Sequence, residues 1–282
     1  MFPLLSFLRY QIDCSAKLLF SVDNAPMEVL DSWGLWALLA GAAFAAGVLN
    51  AIAGGGSFLT FPALVFAGLP PIVANATSAV AVSPGYLGST VGFKAELAAL
   101  PQQRLKQETL IAAVGGVLGA LLLLVTPAQV FKGLVPWLLL FATVLFVLGP
   151  RVAQLRTAAG GAEQASPLKR HLGLLAVAIY GGYFNGGLGI LLLALYTVCG
   201  EKQLSTSNAL KNLNSLVLSL LSVATFAAAG AIAWGPALVM MVAATLGGYT
   251  GARGSKTIPV AWVRGTVVAT GLVMSVVFFV RG

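Results

Sequence analysis

Long apolar runs follow one another along this chain from Trp33 to the C-terminus. They occupy residues 33–53, 57–68, 71–93, 108–125, 131–149, 171–187, 188–200, 204–229, 235–252 and 260–280. A helix needs roughly 20 apolar residues to cross a hydrocarbon core about 30 Å thick, and eight of these ten runs reach or approach that length. The alternating segments of about 10 residues that a membrane barrel requires do not occur. The pattern therefore predicts an all-α integral membrane protein.

Two of the apolar runs are too short to cross a membrane. Residues 57–68 and 188–200 would span only about 18–20 Å as helices. Each follows a glycine cluster, Gly54-Gly55-Gly56 in the first case and Gly186-Gly187-Leu188-Gly189 in the second. Because glycine interrupts helices readily, we expect short broken helices after two glycine-rich breaks.

The two breaks belong to a wider internal repeat. An offset of 135 pairs Gly47 with Gly182 and Asn50 with Asn185, and an offset of 133 pairs Asn75 with Asn208. An offset of 132 pairs Gly115, Gly116, Gly119, Pro127, Lys132 and Gly133 with Gly247, Gly248, Gly251, Pro259, Arg264 and Gly265. Ordered self-similarity of this kind indicates duplication. We predict a first transmembrane repeat over 33–150, a linker over 151–170, and a second repeat over 171–282, with about five helical elements each.

Loop charges predict how the repeats lie in the membrane. Lys and Arg occur in the connections 94–107, 150–170 and 253–259, whereas 126–130 and 230–234 have none. Cytoplasmic loops collect basic residues, so the linker is expected in the cytoplasm of a multi-pass protein of the cell inner membrane. The two repeats would then have inverted topology, with both termini outside. For the tail 1–32 we expect either an interfacial helix or a translation start at Met27, in which case residues 1–26 are not part of the native protein.

Composition supports a membrane protein and excludes several other classes. Only 9% of the residues are charged, against about 25% in soluble domains. The net charge of +8 is explained by cytoplasmic loops, so the expected surrounding partner is the lipid bilayer and not nucleic acid. The two cysteines form no CxxC or Cys/His cluster, and we expect no metal, cofactor or disulfide framework.

The polar residues within the membrane segments are neutral, apart from one lysine. The interior of the apolar runs has no Asp or Glu, and the single histidine, His171, lies at a segment boundary. We therefore expect no buried carboxylate and no enzyme active site. The candidate substrate-binding residues are Asn50, Gly54, Gly55, Gly56, Ser57, Asn75, Thr77, Ser78, Asn185, Gly187, Gly189, Asn208, Lys211 and Asn212.

Anion binding is the chemistry that this set favours. A helix that begins inside the membrane presents unpaired N–H groups and about half a positive charge, and secondary transporters use such half-helices. Lys211 would lie roughly 10 Å deep, where it requires water or an anionic partner. Asn208 and Asn212 share its helical face, whereas Asn214 does not. The alternatives are that the glycines only permit close helix packing, that Lys211 snorkels to the interface, and that the Asn, Ser and Thr side chains link helices.

Several of these stretches resemble the signature of the TauE/SafE permeases. In the first repeat they are GVLNAIAGGGS at 47–57, FPAL at 61–64, GLPP at 68–71 and ANAT at 74–77. In the second they are YGGYF at 180–184, NALKN at 208–212 and GGYTGA at 247–252. The resemblance covers about 33–280 and implies an anion permease for sulfite or related organosulfur anions, with the motifs at 54–57 and 208–212 as binding elements. Gly-Leu-Gly replaces Gly-Gly-Gly at the second break, which sets the two half-sites apart.

The leading functional prediction is a secondary transporter that moves a small anion such as sulfite or an organosulfonate. H⁺, Na⁺ or the substrate gradient alone remain the alternatives for coupling, and the sequence does not indicate the oligomeric state. An anion channel on the same scaffold is the second hypothesis. A non-transporting membrane scaffold subunit is the third.

Overall fold

The computed structural model describes residues 33–52, 55–158, 166–201, 203–254 and 260–281, and every regular element in these ranges is a helix. The tail 1–32 and Gly54 lie outside the described residues. In chain order the helices are α1 (Trp33–Ile52), α2 (Ser57–Phe66), α3 (Pro71–Gly92), α4 (Lys94–Ala98), α5 (Gln102–Val125), α6 (Ala128–Ala158), α7 (Pro167–Tyr183), α8 (Leu188–Val198), α9 (Leu204–Ala228), α10 (Trp234–Gly254) and α11 (Val260–Arg281).

Four of the described helices, α1, α5, α6 and α9, are long and apolar enough to cross a membrane by length and composition. The two segments expected to be short are short, since α2 has 10 residues and α8 has 11. Helix also extends into the predicted linker from both sides, because α6 continues to Ala158 and α7 begins at Pro167. An N-cap explains the latter start: the Ser166 side chain accepts from the Lys169 amide, and Pro167 follows it.

Glycine allows two pairs of helices to pack with their backbones in contact. Between α1 and α10, a methyl group at Gly47 would overlap the carbonyl oxygen of Ala244, and one at Gly247 would overlap that of Phe44. Between α5 and α7, a methyl group at Gly119 would overlap the carbonyl oxygen of Ile179. Membrane helices associate through such small-residue contacts because lipid provides no hydrophobic drive between helices.

The helix contacts occur in matching sets across the two halves of the sequence. By position in the repeat, α1, α2, α3, α5 and α6 correspond to α7, α8, α9, α10 and α11. Under this correspondence the contact between α1 and α10 matches that between α7 and α5, and the contact between α3 and α10 matches that between α9 and α5. The contacts α3–α9 and α6–α11 each join a helix to its own counterpart. Each short helix also packs on its neighbours in the same way, α2 on α1 and α3, and α8 on α7 and α9.

The ends of the short helices share one hydrogen-bonding pattern. Gly68 after α2 and Gly200 after α8 have positive φ values, 91° and 83°. The next amide in each case bonds back to the last turn, Leu69 to Leu64 O at 3.1 Å and Glu201 to Tyr196 O at 3.0 Å. This is the glycine-dependent Schellman ending, and the two copies are separated by an offset of 132.

Candidate functional site

Both helix breaks are made by a glycine in the left-handed conformation. Gly55 has φ 96° two residues before α2, and Gly187 has φ 78° immediately before α8. Only glycine enters this region without a steric penalty. Neither helix start has a side-chain cap. Backbone carbonyls of Gly55 and Gly56 accept from the first amides of α2, and those of Asn185 and Gly187 accept from the Leu188, Ile190 and Leu191 amides of α8. The Gly189 amide, in the first turn of α8, is left without a described partner. These are the features of an anion-binding helix terminus.

The two breaks lie against the same aromatic ring. A methyl group on Gly55 would lie 3.3 Å from Phe58 Cδ2, and one on Gly187 would lie 3.6 Å from Phe58 Cε2. Phe58 is fully buried, and nearby Phe61 contacts the Phe184 ring at a centroid distance of 5.5 Å. The tertiary fold therefore brings together two helix starts that are more than 130 residues apart in sequence.

Lys211 reaches the second of these helix starts. Its Cδ atom lies 3.6 Å from the position of a methyl group on Gly189, in the first turn of α8. The ion pairs of the described residues involve Arg104, Arg170 and two glutamates, and none includes Lys211. The side-chain stem of Lys211 thus lies against the positive end of α8, and no described carboxylate pairs with this lysine. A lysine beside a positive helix end is a favourable environment for an anion.

The asparagines of the two breaks have different surroundings. Asn185 is 4% exposed, and its Oδ1 has no hydrogen-bond partner. Next to it, the Tyr180 hydroxyl donates to Gly186 O at 2.9 Å and fixes the break. Asn50 is part-buried, and its Nδ2 lies 3.2 Å from the position of a methyl group on Gly85 in α3. Asn185 therefore has unused polar capacity at the second break.

The α3 candidates all bond to other protein groups. Asn75 Nδ2 donates to Tyr183 O at 3.1 Å, and Thr77 Oγ1 accepts from the Ala233 amide at 3.1 Å. Ser78 shares a 2.6 Å hydrogen bond with Thr60. These contacts fit the alternative in which the α3 residues link helices.

The remaining candidates divide between the helix starts and α9. Gly56 and Ser57 are buried at the start of α2, and Asn212 is buried on α9. Asn208, which is part-buried, donates from Nδ2 to Leu204 O of its own helix at 3.0 Å. Of the three candidates on α9, which are Asn208, Lys211 and Asn212, Lys211 is the one whose side chain lies at a helix break.

The expectation that no carboxylate is buried was wrong. Glu108, the first residue of the fourth apolar run, is fully buried. Its Oε1 pairs with Arg104 Nε at 2.9 Å and lies 3.2 Å from Arg170 Nε, and its Oε2 accepts from the Tyr196 hydroxyl at 2.8 Å. The burial follows from partners on other helices, which sequence does not reveal. The Arg104–Glu108 spacing of i,i+4 was the one signal available.

Asn214, which helical spacing set apart from Lys211, belongs to this same network. Its Nδ2 donates to the Tyr196 hydroxyl at 2.6 Å. Arg104 extends the network at the other end, donating from Nη2 to Glu201 Oε2 at 3.0 Å. The chain of contacts therefore joins α5, α7, α8 and α9.

Comparison with known proteins identifies the family of this chain and several membrane transporters to which it is similar. The model of the family described as "Sulfite exporter TauE/SafE" matches residues 39–278. The chain is 31% identical over 227 residues to "Probable membrane transporter protein ORF9" of Sinorhizobium sp., with 78% of this chain and 82% of that protein covered. It is 30% identical over 249 residues to a "Probable membrane transporter protein" of Haemophilus influenzae, with coverage of 86% and 93%. It is also 30% identical over 222 residues to "Probable membrane transporter protein YfcA" of Escherichia coli K12, with coverage of 75% and 77%. No solved structure matches the chain significantly.

Proposed function

Because the chain belongs to the sulfite exporter TauE/SafE family, whose members are membrane transporters and not enzymes, we propose that it is a secondary transporter of a small anion. The substrate class is a sulfur oxyanion or an organosulfonate, of which sulfite is the simplest. The bound anion lies between the starts of α2 and α8. Backbone amides of both helix starts and the Lys211 ammonium group neutralise its charge.

The observation that carries this proposal is the position of Lys211 at the first turn of α8. A lysine inside a membrane protein is costly unless it has a partner or water, and a positive helix end makes its environment less favourable still. An anion that binds between them converts the repulsion into two attractions. Asn185, at the same break, has an unsatisfied oxygen that can accept a hydrogen bond from a hydroxyl-bearing anion such as bisulfite.

The two halves form an inverted repeat in this proposal. The matching helix contacts and the shared hydrogen-bonding pattern at the ends of α2 and α8 support this arrangement. The distribution of Lys and Arg supports it too, because these residues occur in the loops 94–107, 150–170 and 253–259 and are absent from 126–130 and 230–234. The loops 94–107 and 151–170 then lie in the cytoplasm of an inner-membrane, multi-pass protein, and both termini lie outside. Movement of one half against the other exposes the central site to each side in turn.

The test is uptake of labelled sulfite, thiosulfate, taurine and sulfoacetate into liposomes that contain the purified protein. We expect saturable uptake of at least one of these anions, lowered by at least about tenfold in Lys211→Met, because a charge-assisted hydrogen bond contributes about 1.5–3 kcal/mol. Lys132→Met is the matched control: it removes the same charge from a part-buried lysine in α6, and it should leave uptake unchanged.

The other outcomes separate the alternatives. Equal uptake by both lysine variants would show that the anion binds elsewhere. Ion flux far above carrier turnover would favour the channel hypothesis. Absence of flux for every anion, across both proton and sodium gradients, would favour the scaffold hypothesis.

A further inference from the structure

The Glu108 network lies away from the proposed anion site, at the ends of the three helices α5, α7 and α8 and beside the middle of α9. Arg104 and Glu108 are in the first two turns of α5, and Arg170 is in the first turn of α7. Tyr196 is in the last turn of α8, and Glu201 follows that helix. Two arginines and two glutamates give a formal net charge of zero. Each element is therefore held to the others by charge-assisted contacts, and no excess charge is left to recruit a separate ion.

This end of the molecule differs from its counterpart in the other half. The offset of 132 relates Glu108 to Met240, Tyr196 to Leu64, and Glu201 to Leu69. All three counterparts are buried members of the large apolar core. The described part of the fold therefore has a polar closure at the end of α8, against α5 and α7, and an apolar counterpart at the end of α2.

We propose that the Glu108–Arg104–Glu201 ion pairs, together with Tyr196, form a latch. The latch closes the transporter at the polar end, where α8 meets α5 and α7, and it positions α8 for anion binding. The inference rests on the proposed function, since a latch requires an end that opens. Lys211 and Asn214 are one turn apart on α9. The Asn214–Tyr196 hydrogen bond therefore fixes α8 against the helix that carries Lys211.

The polarity of the latch determines how it opens. When an apolar closure separates, buried hydrocarbon surface becomes exposed to water at a cost of about 25 cal/mol per Å². When ion pairs separate, water replaces the lost partners, and the net cost of a part-exposed pair is small. The Arg104 and Glu201 side chains are 19% and 18% exposed, beside a polar pocket of about 30 Å³ that Cys199 also lines. The Arg104–Glu201 pair should therefore separate more readily than the apolar contacts, and its separation should respond to ionic strength. The fully buried Glu108 should keep its partners longer, because a buried charge is strongly destabilised when it loses them.

Cys199 provides a direct measurement of latch opening. The substitution Cys14→Ser leaves Cys199 as the single cysteine. The assay measures the rate at which a charged maleimide alkylates Cys199 in lipid nanodiscs, where the reagent reaches both faces of the membrane. No substrate is present. The rate in the parent protein should rise between 20 mM and 500 mM NaCl, because salt screens the part-exposed Arg104–Glu201 pair.

Two variants and one control then test the latch. Glu201→Gln removes only the part-exposed ion pair and should raise the rate about threefold while abolishing most of its salt dependence. Glu108→Gln should raise it by about tenfold or more. Met240→Leu, at the apolar counterpart of Glu108, should leave the rate unchanged.

Unchanged alkylation and unchanged salt dependence in folded Glu201→Gln would overturn the proposal, whether or not Glu108→Gln folds. Anion uptake by the parent protein in that case would leave the proposed function intact. Conversely, a Cys199 rate that depends on salt and on Glu201, in a chain that transports none of the anions, would retain the ion-pair closure but reject both the transport assignment and the role of α8 in anion binding.

Discussion

Alanine at Gly187 tests the geometry of the second break most directly. The φ of 78° at this residue costs an L-amino acid about 1–2 kcal/mol. The new methyl group would also lie 2.8 Å from Ala142 Cβ on α6, a contact that requires displacement of the neighbouring backbone and adds about 1–3 kcal/mol. We therefore expect Gly187→Ala to destabilise the protein by about 2–5 kcal/mol, or to shift the start of α8 and abolish anion uptake.

Gly68→Ala is the matched control for this substitution. Gly68 has a φ of 91°, but no atom lies within 4 Å of the position that its methyl group would occupy. Gly68→Ala should lower the free energy of unfolding by about 1–2 kcal/mol, from the left-handed backbone conformation alone. Transport should persist at temperatures where the variant is folded. Thermal unfolding in detergent, followed by uptake in liposomes, measures both effects. Equal destabilisation by the two variants, with uptake preserved in both, would refute the tight packing of the Gly187 break.

Two further substitutions test how the helices are held together. Gly119→Ala should destabilise the protein by about 1–3 kcal/mol, because the new methyl group overlaps backbone at the α5–α7 contact. Gly133→Ala, in open space on α6, should be neutral or slightly stabilising. A lower unfolding temperature for Gly133→Ala than for Gly119→Ala would contradict this packing. Asn75→Leu should cost about 1–3 kcal/mol because it leaves the buried Tyr183 carbonyl unsatisfied, while Asn208→Leu, which loses only a bond within its own helix, should cost less than Asn75→Leu in the same unfolding assay.

Much of the fold was predictable because a membrane restricts the choices. Backbone groups in lipid must be satisfied within the segment, so long apolar runs indicate helices almost unambiguously. Glycine clusters at Gly54–Gly56 and Gly186–Gly189 likewise indicated that the following helices would be short, and α2 and α8 are short. The family could also be inferred from the ordered motifs, since the family model matches 39–278. These features are local, and local sequence is sufficient to specify them.

The sequence was least informative about side chains whose role depends on distant partners. Glu108 stands at the edge of an apolar run, where a carboxylate is ordinarily solvated. Only the packing of α5 against α7 and α8 brings Arg170 and Tyr196 to it and buries it. Asn75 is a comparable case, because its partner, Tyr183 O, is 108 positions away.

The chain by itself determined the helices, the two breaks and the membrane class, since each follows from the hydrophobicity, length and glycine content of a single segment. Tertiary structure decided which polar residues meet. It placed both breaks against Phe58 and the Lys211 side chain against Gly189, and it joined Glu108 to partners on two other helices. The physical reason is that a hydrogen bond or an ion pair forms over about 3 Å between particular atoms, and only the packing of whole helices fixes a distance of that size.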